Sequence, residues 1–526
     1  MTKDNSSAFR YFLMLTTTLC GALVMVIEVL GARVIGPFFG VSLFVWTALI
    51  TVTLMSLSAG YALGGYWADR KPAPDWLFGI IAASGVLVML VPALKPWVIQ
   101  ATVPLGLRAG ALASATFLFA PALLLLGCVS PYVVKIATSD LVRLGRTAGI
   151  LYALSTIGSM LGTALAGYVI IAYIGVTRAF HLCGVLLVLL GLSYFLLFRR
   201  RALAAVGMLC LSGFVWSSAP ELPTAVLPDG TIARLVAARD SYYGNIKVVD
   251  YMGTDTSIRE MLIDGMVQGG IDRKTGQSVY EYPYLLEALP LAIKSDIRSA
   301  LIVGIGAGVV AERLQQRGVD VEAVDIDPAV VAMAGEHFNL RLARPAVIED
   351  ARFLLAQEGR TYDVVIMDAF SGDASPGHLL SREALARIKA RLAPDGVLAI
   401  NLIGSNRADS PLVPAVVRTL QTQFAQVASF PLFDVADSHA KGGNLVLIAA
   451  NRRLDAALTA GIENVHPLAR NLLALGMRQG KLLGPAGAGT ILSDDFNPLD
   501  VLDLETREIV RKTILETTPP AILLHG

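Results

Sequence analysis

The first 220 residues are a succession of long apolar runs. They fall near 11–33, 42–66, 77–94, 108–134, 148–173, 179–198 and 202–219. Each is close to the ~20 residues that a helix needs to cross a bilayer, and the last is the shortest. This predicts an N-terminal all-α transmembrane bundle of six or seven spans over residues 1–220. Gly158, Gly162 and Gly167 recur at helix-contact spacing and suit close packing in lipid.

Past that point the pattern changes. Pro220, Pro223, Pro228 and Gly230 mark a linker. Residues 231–268 then alternate as strands do, with Ile246 and Val248 on one face and Met261 and Ile263 in a later run. This predicts a small β subdomain, which with the linker fills 221–285. From 286 to 526 strands alternate with helices. Strands are expected at 299–304, 320–325, 345–348, 362–368, 396–402, 426–431 and 443–449, and helices at 308–317, 328–338, 381–393 and 410–423. The expected fold is an α/β doubly wound sheet, Rossmann-like and methyltransferase-type, open and mostly parallel. Ligands in such sheets lie beyond the carboxyl ends of the strands.

Composition sharpens the division. The chain of 526 residues is 54% hydrophobic and only 16% charged, against a usual charged share of about 25%, and the deficit lies in the N-terminal part. A net charge of +1 gives no general attraction to nucleic acid. Cys20, Cys128, Cys183 and Cys210 lie in apolar stretches without paired spacing, so neither a zinc site nor a disulfide framework is indicated. His337, His378, His439 and His466 show no metal spacing either, and no metal is expected. The first apolar run is long enough to be a retained span rather than a cleaved leader.

Loop charges set the expected orientation. Lys3, Arg10, Arg70, Lys71, Lys135, Arg143, Arg146 and Arg199 to Arg201 fall on one side; Arg33, Lys95, Arg108 and Arg178 fall on the other. The N-terminus is therefore expected in the cytoplasm, in a multi-pass protein of the cell (inner) membrane. Seven spans put the soluble half outside and six put it in the cytoplasm. Six is favoured, on the ligand chemistry of the soluble half. Glu28 lies near the middle of the first run, where an ionisable group is costly, and a ligand-facing role and a structural hydrogen bond are both open.

The candidate chemistry sits in the α/β half. Residues 301–308 read Leu-Ile-Val-Gly-Ile-Gly-Ala-Gly, and Val-Asp-Ile-Asp-Pro follows at 324–328. A strand entering a glycine turn that opens a helix, with an acid ending the next strand, is how such sheets hold an adenosine: the backbone comes close and the acid takes the ribose hydroxyls. The spacing of Gly304, Gly306 and Gly308 suits an S-adenosylmethionine-type site better than a pyrophosphate site. Asp325, Asp350 and Asp368 fall at successive strand ends and converge on one crevice. Asp325 suits the ribose, Asp350 with its neighbour Ala351 the adenine, and Asp368 the reacting group. Asp494 and Asp495, just before Asn497-Pro498, are candidates to close the cleft over a cationic substrate.

These residues resemble the spermidine synthase (polyamine aminopropyltransferase) family over roughly 235–450. The matching elements are Leu262-Ile263-Asp264-Gly265-Met266-Val267-Gln268, similar to the family's L-x-D-G-x-x-Q, the segment from Tyr282 to Leu289-Pro290-Leu291, the glycine turn, Asp325, Asp350, and Asp368 with Asp373. With the membrane half attached, the chain resembles bacterial membrane-fused spermidine-synthase-like proteins. The resemblance implies that Gln268 and Tyr282 line the cleft, that Gly304 to Gly308 pass beneath the adenosyl group, and that Asp368 orients the attacking amine and accepts its proton, with Asp373 beside it. S-adenosylmethionine or its decarboxylated form would be the alkyl donor, a small-molecule amine (or no acceptor) the nucleophile, and methylthioadenosine the product.

Departures from the family pattern fall in the aminopropyl and amine regions. The acid of the family's G-G-G-D-G turn is Ala307 here, Asp368 and Asp373 are five apart rather than three, the family's glutamine before its first strand is Gly244, and its histidine before Leu-Pro-Leu is Ala288. Transfer to an amine, internal attack by the donor's own carboxylate or amine, methyl transfer on the same sheet, and a transporter or sensor that only binds an adenosyl or polyamine ligand are the readings in play. The partners expected are the lipid bilayer and a small molecule, with no nucleic acid and with a homodimer among the open arrangements.

Overall fold

The computed structural model describes residues 3–40, 43–138, 144–199, 222–370, 375–405, 410–436, 442–485, 489–502 and 504–525. The chain divides near residue 221 into a helical unit and an α/β unit.

The helical unit contains α1 (Lys3–Phe39), α2 (Leu43–Arg70), α3 (Pro74–Thr102), α4 (Gly106–Gly127), α5 (Val129–Ala137), α6 (Leu144–Leu165) and α7 (Val176–Tyr194). Among the described residues, five helical stretches are long and apolar enough to cross a bilayer. One of them, Pro74–Ala137, holds two of the expected spans. The chain reverses inside it, at the 3-10 turn Val103–Leu105 and at Gly106, whose φ of +80° suits glycine. Hydrogen bonds from Ser84 Oγ to the Ala122 carbonyl (3.1 Å) and between the Thr102 and Ser114 hydroxyls (2.6 Å) join α3 to α4 as an antiparallel pair. The expected run at 202–219, with Cys210, lies outside the described residues.

Small residues decide how α1 and α6 pack. A Cβ on Gly158 would stand 1.9 Å from the Thr18 carbonyl oxygen, and one on Gly162 2.3 Å from that of Ala22. Gly167, by contrast, faces open space, off that contact face. Glu28 of α1 accepts a hydrogen bond from the Thr53 hydroxyl of α2, which meets its polar requirement within the bundle.

The α/β unit opens with a five-stranded sheet in sequential order: β1 (Thr224–Val226), β2 (Ile232–Asp240), β3 (Asn245–Met252), β4 (Ser257–Ile263) and β5 (Met266–Asp272). The β4–β5 hairpin turns on Asp264 and Gly265, with φ +47° and +82°, the two left-handed positions of a type I′ turn. Asp264 Oδ1 also accepts from the Asn245 amide at 3.0 Å, which fastens the turn to β3. The Asp-Gly of the Leu262–Gln268 motif is thus a turn device, and it delivers Gln268 onto β5.

Helix α8 (Tyr282–Ile293) leads into the large sheet. Its elements are β6 (Ser299–Val303), α9 (Val309–Gln316), β7 (Asp320–Asp325), α10 (Pro328–Phe338), β8 (Val347–Ile348), α11 (Ala351–Ala356), β9 (Tyr362–Met367), α12 (Arg382–Ala390), β10 (Leu392–Gly404), α13 (Leu412–Gln421), β11 (Gln426–Pro431), β12 (Gly443–Ala450), α14 (Pro467–Gln479) and β13 (Lys481–Leu482). The strand order is β13-β11-β12-β10-β9-β6-β7-β8. Strands β8, β7, β6, β9 and β10 run parallel; β12, β11 and β13 pair antiparallel at the other edge. Alternate residues of each central strand enter opposite cores: Ala300, Ile302, Val364 and Ile366 enter one, and Leu301, Val303, Val365 and Met367 the other. Both faces are therefore covered, as a doubly wound parallel sheet requires. The chain leaves β6 toward β7 and β8, then crosses back to β9 on the other side of β6. That reversal is the topological switch point where such sheets form a crevice.

Candidate active site

Register places the functional side chains before any side-chain contact is considered. Val303 pairs with Val324 and Met367, and Met367 pairs with Ile400. The next residue on each strand is then Asp325, Gly304, Asp368 and Asn401, in one row along the carboxyl ends of β7, β6, β9 and β10.

The three glycines are required chiefly by protein neighbours. A Cβ on Gly304 would lie 2.2 Å from the Asp368 carbonyl oxygen, one on Gly306 2.5 Å from that of Gln268, and one on Gly308 2.7 Å from the Leu340 side chain. All three have positive φ, and Gly308 is the left-handed N-cap of α9. The turn is threaded between Gln268 and Asp368, and the Ala307 amide donates to the Gln268 carbonyl at 3.4 Å. Opposite it, the pro-Cβ position of Gly269 is 3.0 Å from Ala307 Cβ and 3.7 Å from the Tyr282 hydroxyl. Gln268, Tyr282 and the glycine turn are therefore neighbours.

Asp325 is held by the backbone of this turn. Its Oδ2 accepts from the Ile305 amide and its Oδ1 from the Asp327 amide, both at 2.9 Å. Burial pushes the carboxyl up to about 6, against the opposing effect of those amides. Each oxygen keeps a lone pair, so the side chain can accept from a diol while fixed in place. Asp350 plays a different local part. It is the N-cap of α11, accepts from the Arg352 amide at 2.7 Å, and lies 3.6 Å from His378 Nε2. Ala351 begins that helix and is buried in the core.

Asp368 ends β9. Burial pushes its carboxyl up to about 6, and a hydrogen bond from Asn401 Nδ2 at 2.8 Å acts the other way. Tyr282, buried at the first position of α8, is driven well above its ordinary range by burial and then by the charges of Asp368 and Glu281, which places those three groups together. Glu281 is itself buried, with a carboxyl raised by burial and hydrogen-bonded by Asn444. Asp373 lies outside the described residues.

Asn401 and Glu281 are the residues that sequence reasoning missed. Asn401 had a legible sign: it is the polar residue inside the apolar run Val397–Ile403. The acids near the C-terminus sit otherwise than as free charges. Asp494 pairs with Arg352, and its Oδ1 accepts from the Ser381 hydroxyl at 2.6 Å. Arg352 NH1 also donates to Ser381 Oγ (2.9 Å). Asp494 is therefore spent on binding its own segment to α11 and α12, while Asp495 is exposed to solvent. A cavity of about 500 Å³ lies here, lined by Arg352, Gly377, His378, Asp494, Asn497 and Leu499, beside the Asp350–His378 contact.

Comparison with known proteins adds to this geometry. The methyltransferase domain family matches residues 301–400, which run from β6 into β10. An N-terminal histidine N-methyltransferase of Emericella nidulans is 31% identical over 211 residues, covering 36% of this chain and 37% of that protein. A probable polyamine aminopropyl transferase of Bifidobacterium longum is 28% identical over 228 residues, covering 40% of this chain and 50% of that protein. The polyamine aminopropyltransferase of Vibrio vulnificus is 30% identical over 134 residues, covering 24% of this chain and 45% of that protein. The chain thus spans half or less of the length of these relatives. With a methyltransferase-type sheet, a small β sheet ahead of it and several polyamine aminopropyltransferases among its relatives, the C-terminal half of the chain is similar to spermidine-synthase-like proteins.

Proposed function

We propose that the protein is an integral membrane transferase that takes S-adenosylmethionine or its decarboxylated form and transfers an alkyl group from the sulfonium. Asp325 takes the ribose hydroxyls, Asp350 faces the adenine, and the turn from Gly304 to Gly308 lies beneath the nucleoside. An amine enters as its ammonium ion. Asp368 accepts one proton, and the freed nitrogen lone pair attacks the carbon bound to sulfur. A C–N bond forms, the C–S bond breaks, and its electron pair stays on sulfur, leaving a neutral thioether; with aminopropyl-type transfer that product is methylthioadenosine. A base with a pKa near the working pH suits this task, and alignment of nitrogen and carbon in one crevice supplies much of the acceleration. Ala307 provides no charge where the family has an acid, so the negative charge near Tyr282 comes from Glu281 and Asp368. The apolar helices support anchorage in a membrane; the loop charges favour a cytoplasmic N-terminus, and an adenosyl donor favours a cytoplasmic soluble half.

The observation that carries this reading is Asp368: a half-buried carboxyl at the switch point, aligned with the glycine turn and held by Asn401. A second reading, methyl transfer with release of S-adenosylhomocysteine, is favoured by the methyltransferase domain match and the histidine N-methyltransferase relative. One experiment separates the two. Purified protein is incubated with S-adenosylmethionine or the decarboxylated donor, each with and without putrescine, and the nucleoside product is identified by mass spectrometry. Methylthioadenosine supports the first reading and S-adenosylhomocysteine the second. No Asp368-dependent turnover of either donor would overturn both.

A further inference from the structure

Helices α1 and α6 touch backbone to backbone at Thr18 against Gly158 and at Ala22 against Gly162, a parallel packing. Toward their N-terminal ends the same helices, with the end of α5, enclose a cavity of about 240 Å³. Its wall is layered. Arg146 of α6 lines the outermost level; by the register of Thr18 on Gly158, Arg10 of α1 falls level with Ile150 and Leu151 of α6, and Leu13 and Met14 of α1 lie about one turn deeper. Leu13 and Met14 follow Arg10 by three and four positions and Ile150 follows Arg146 by four, so each arginine stands on the outer side of apolar residues of its own helix. Both arginines fall in the first turn of stretches apolar enough to cross a bilayer, Ser7–Phe39 and Leu144–Tyr173.

Most other cations at helix ends in this half have an acid or ring partner, Arg178 being an exception among the described residues. Lys135 pairs with Asp69 and Arg199 with Asp75. Arg70, Lys71 and Arg108 lie over the rings of Tyr66, Trp76 and Phe44. Among the described residues Arg10 and Arg146 have neither acid nor ring partner, yet they share a cavity with an apolar floor. Paired guanidinium forks match a phosphate. Two cations on the outer side of an apolar wall match a phosphate that carries an acyl chain.

We propose that this cavity binds an anionic phospholipid, its phosphate between Arg10 and Arg146 and its acyl chain against Leu13, Met14, Ile150 and Leu151. The proposal rests on the reading that the helical half spans a membrane. It is tested with the full chain reconstituted in nanodiscs of equal phosphatidylglycerol and phosphatidylcholine, by measuring the lipid retained after transfer to detergent. Wild type should retain phosphatidylglycerol several-fold over phosphatidylcholine. The double variant R10Q/R146Q should lose that preference, R70Q should keep it, and millimolar inorganic phosphate should not displace the lipid. Equal retention of the two lipids, or a preference that survives in R10Q/R146Q, overturns the proposal. Displacement by inorganic phosphate alone overturns the lipid assignment in favour of a soluble phosphate. Release of the protein from membranes by alkaline carbonate refutes the membrane reading itself, independently of the lipid measurement.

Discussion

Asn401 Nδ2 donates to Asp368 Oδ1 at 2.8 Å, while Asn401 Oδ1 is buried without a hydrogen-bond donor among the described residues. One side chain thus holds the carboxylate and offers an unmet acceptor beside it. An unsatisfied buried acceptor costs about 1–3 kcal/mol, and an ammonium N–H bound at Asp368 would meet it. The proton-accepting form of Asp368 is the charged one, so turnover should rise with pH through about 6 and level off above. Asn401→Leu removes the donor that favours that charge. The acidic limb of the kcat/KM profile should move to higher pH, and kcat should fall. Asp368→Asn should lower kcat by roughly 10²–10⁴ while nucleoside binding, read by calorimetry, persists. An unmoved pH profile in the Asn401 variant would show that the contact does not tune the base.

The same carboxyl should weaken the fold at neutral pH. Burial pushes Asp368 and Asp325 up to about 6 each from ordinary values near 3.8. The folded state then binds these protons more tightly than the unfolded chain. Stability contributed by the two groups falls as pH rises from about 4 to about 6, and the penalty persists above that. Asp368→Asn removes one such penalty. Its Tm should exceed that of wild type at pH 8, by an amount reflecting about 1–3 kcal/mol, and match it near pH 4. Scanning fluorimetry of the full chain at both pH values checks this, and a lower Tm at pH 8 would count against a buried charge at 368.

Glycine substitutions should divide by what lies beyond the missing Cβ. Gly304→Ala meets the Asp368 carbonyl at 2.2 Å, whereas Gly318→Ala, at a similar φ of +80°, enters open space. The second should cost only backbone strain, on the order of 1 kcal/mol. The first should cost more and also displace Asp368, so calorimetric binding of S-adenosylmethionine should weaken more than tenfold in G304A and stay near wild type in G318A. Equal effects would mean that the turn's packing is irrelevant to the site.

Local patterns carried much of the fold. The strand–turn–helix of 299–316 is legible because strand, glycines and helix are consecutive, and Asp325 because it ends the next strand. What escaped depends on partners far along the chain. Asn401 acts only because β10 pairs with β9 in a register that sets it beside Asp368. Asp494 reads as a free acid in its own segment, yet its partners Arg352 and Ser381 lie in α11 and at the start of α12. Gly158, Gly162 and Gly167 look alike in sequence, but only the first two face a neighbouring backbone. Gly167 lies five rather than four past Gly162, which turns it off the row of the first two.

Asp494 yields the remaining prediction. Hydrogen bonds from the Ser381 hydroxyl and then the Arg352 guanidinium hold its carboxyl below the usual range. The group is nearly half exposed, so solvent screening leaves the pair a modest stabilisation, about 1 kcal/mol or less. Its role is geometric. Asn497 Nδ2 donates to the Gly377 carbonyl at 2.7 Å, and with Asp494 it pins the segment 493–499 over the cavity beside Asp350. Asp494→Ala should free the side-chain pin without touching Asp368 or the glycine turn, leaving the Asn497 contact and the Asp494 amide's bond to Glu383 (2.9 Å). The Michaelis constant for the nucleoside substrate should rise several-fold, kcat should stay near wild type, and limited proteolysis between Ser493 and Asn497 should accelerate. A drop in kcat with an unchanged Michaelis constant would instead assign Asp494 to the chemical step.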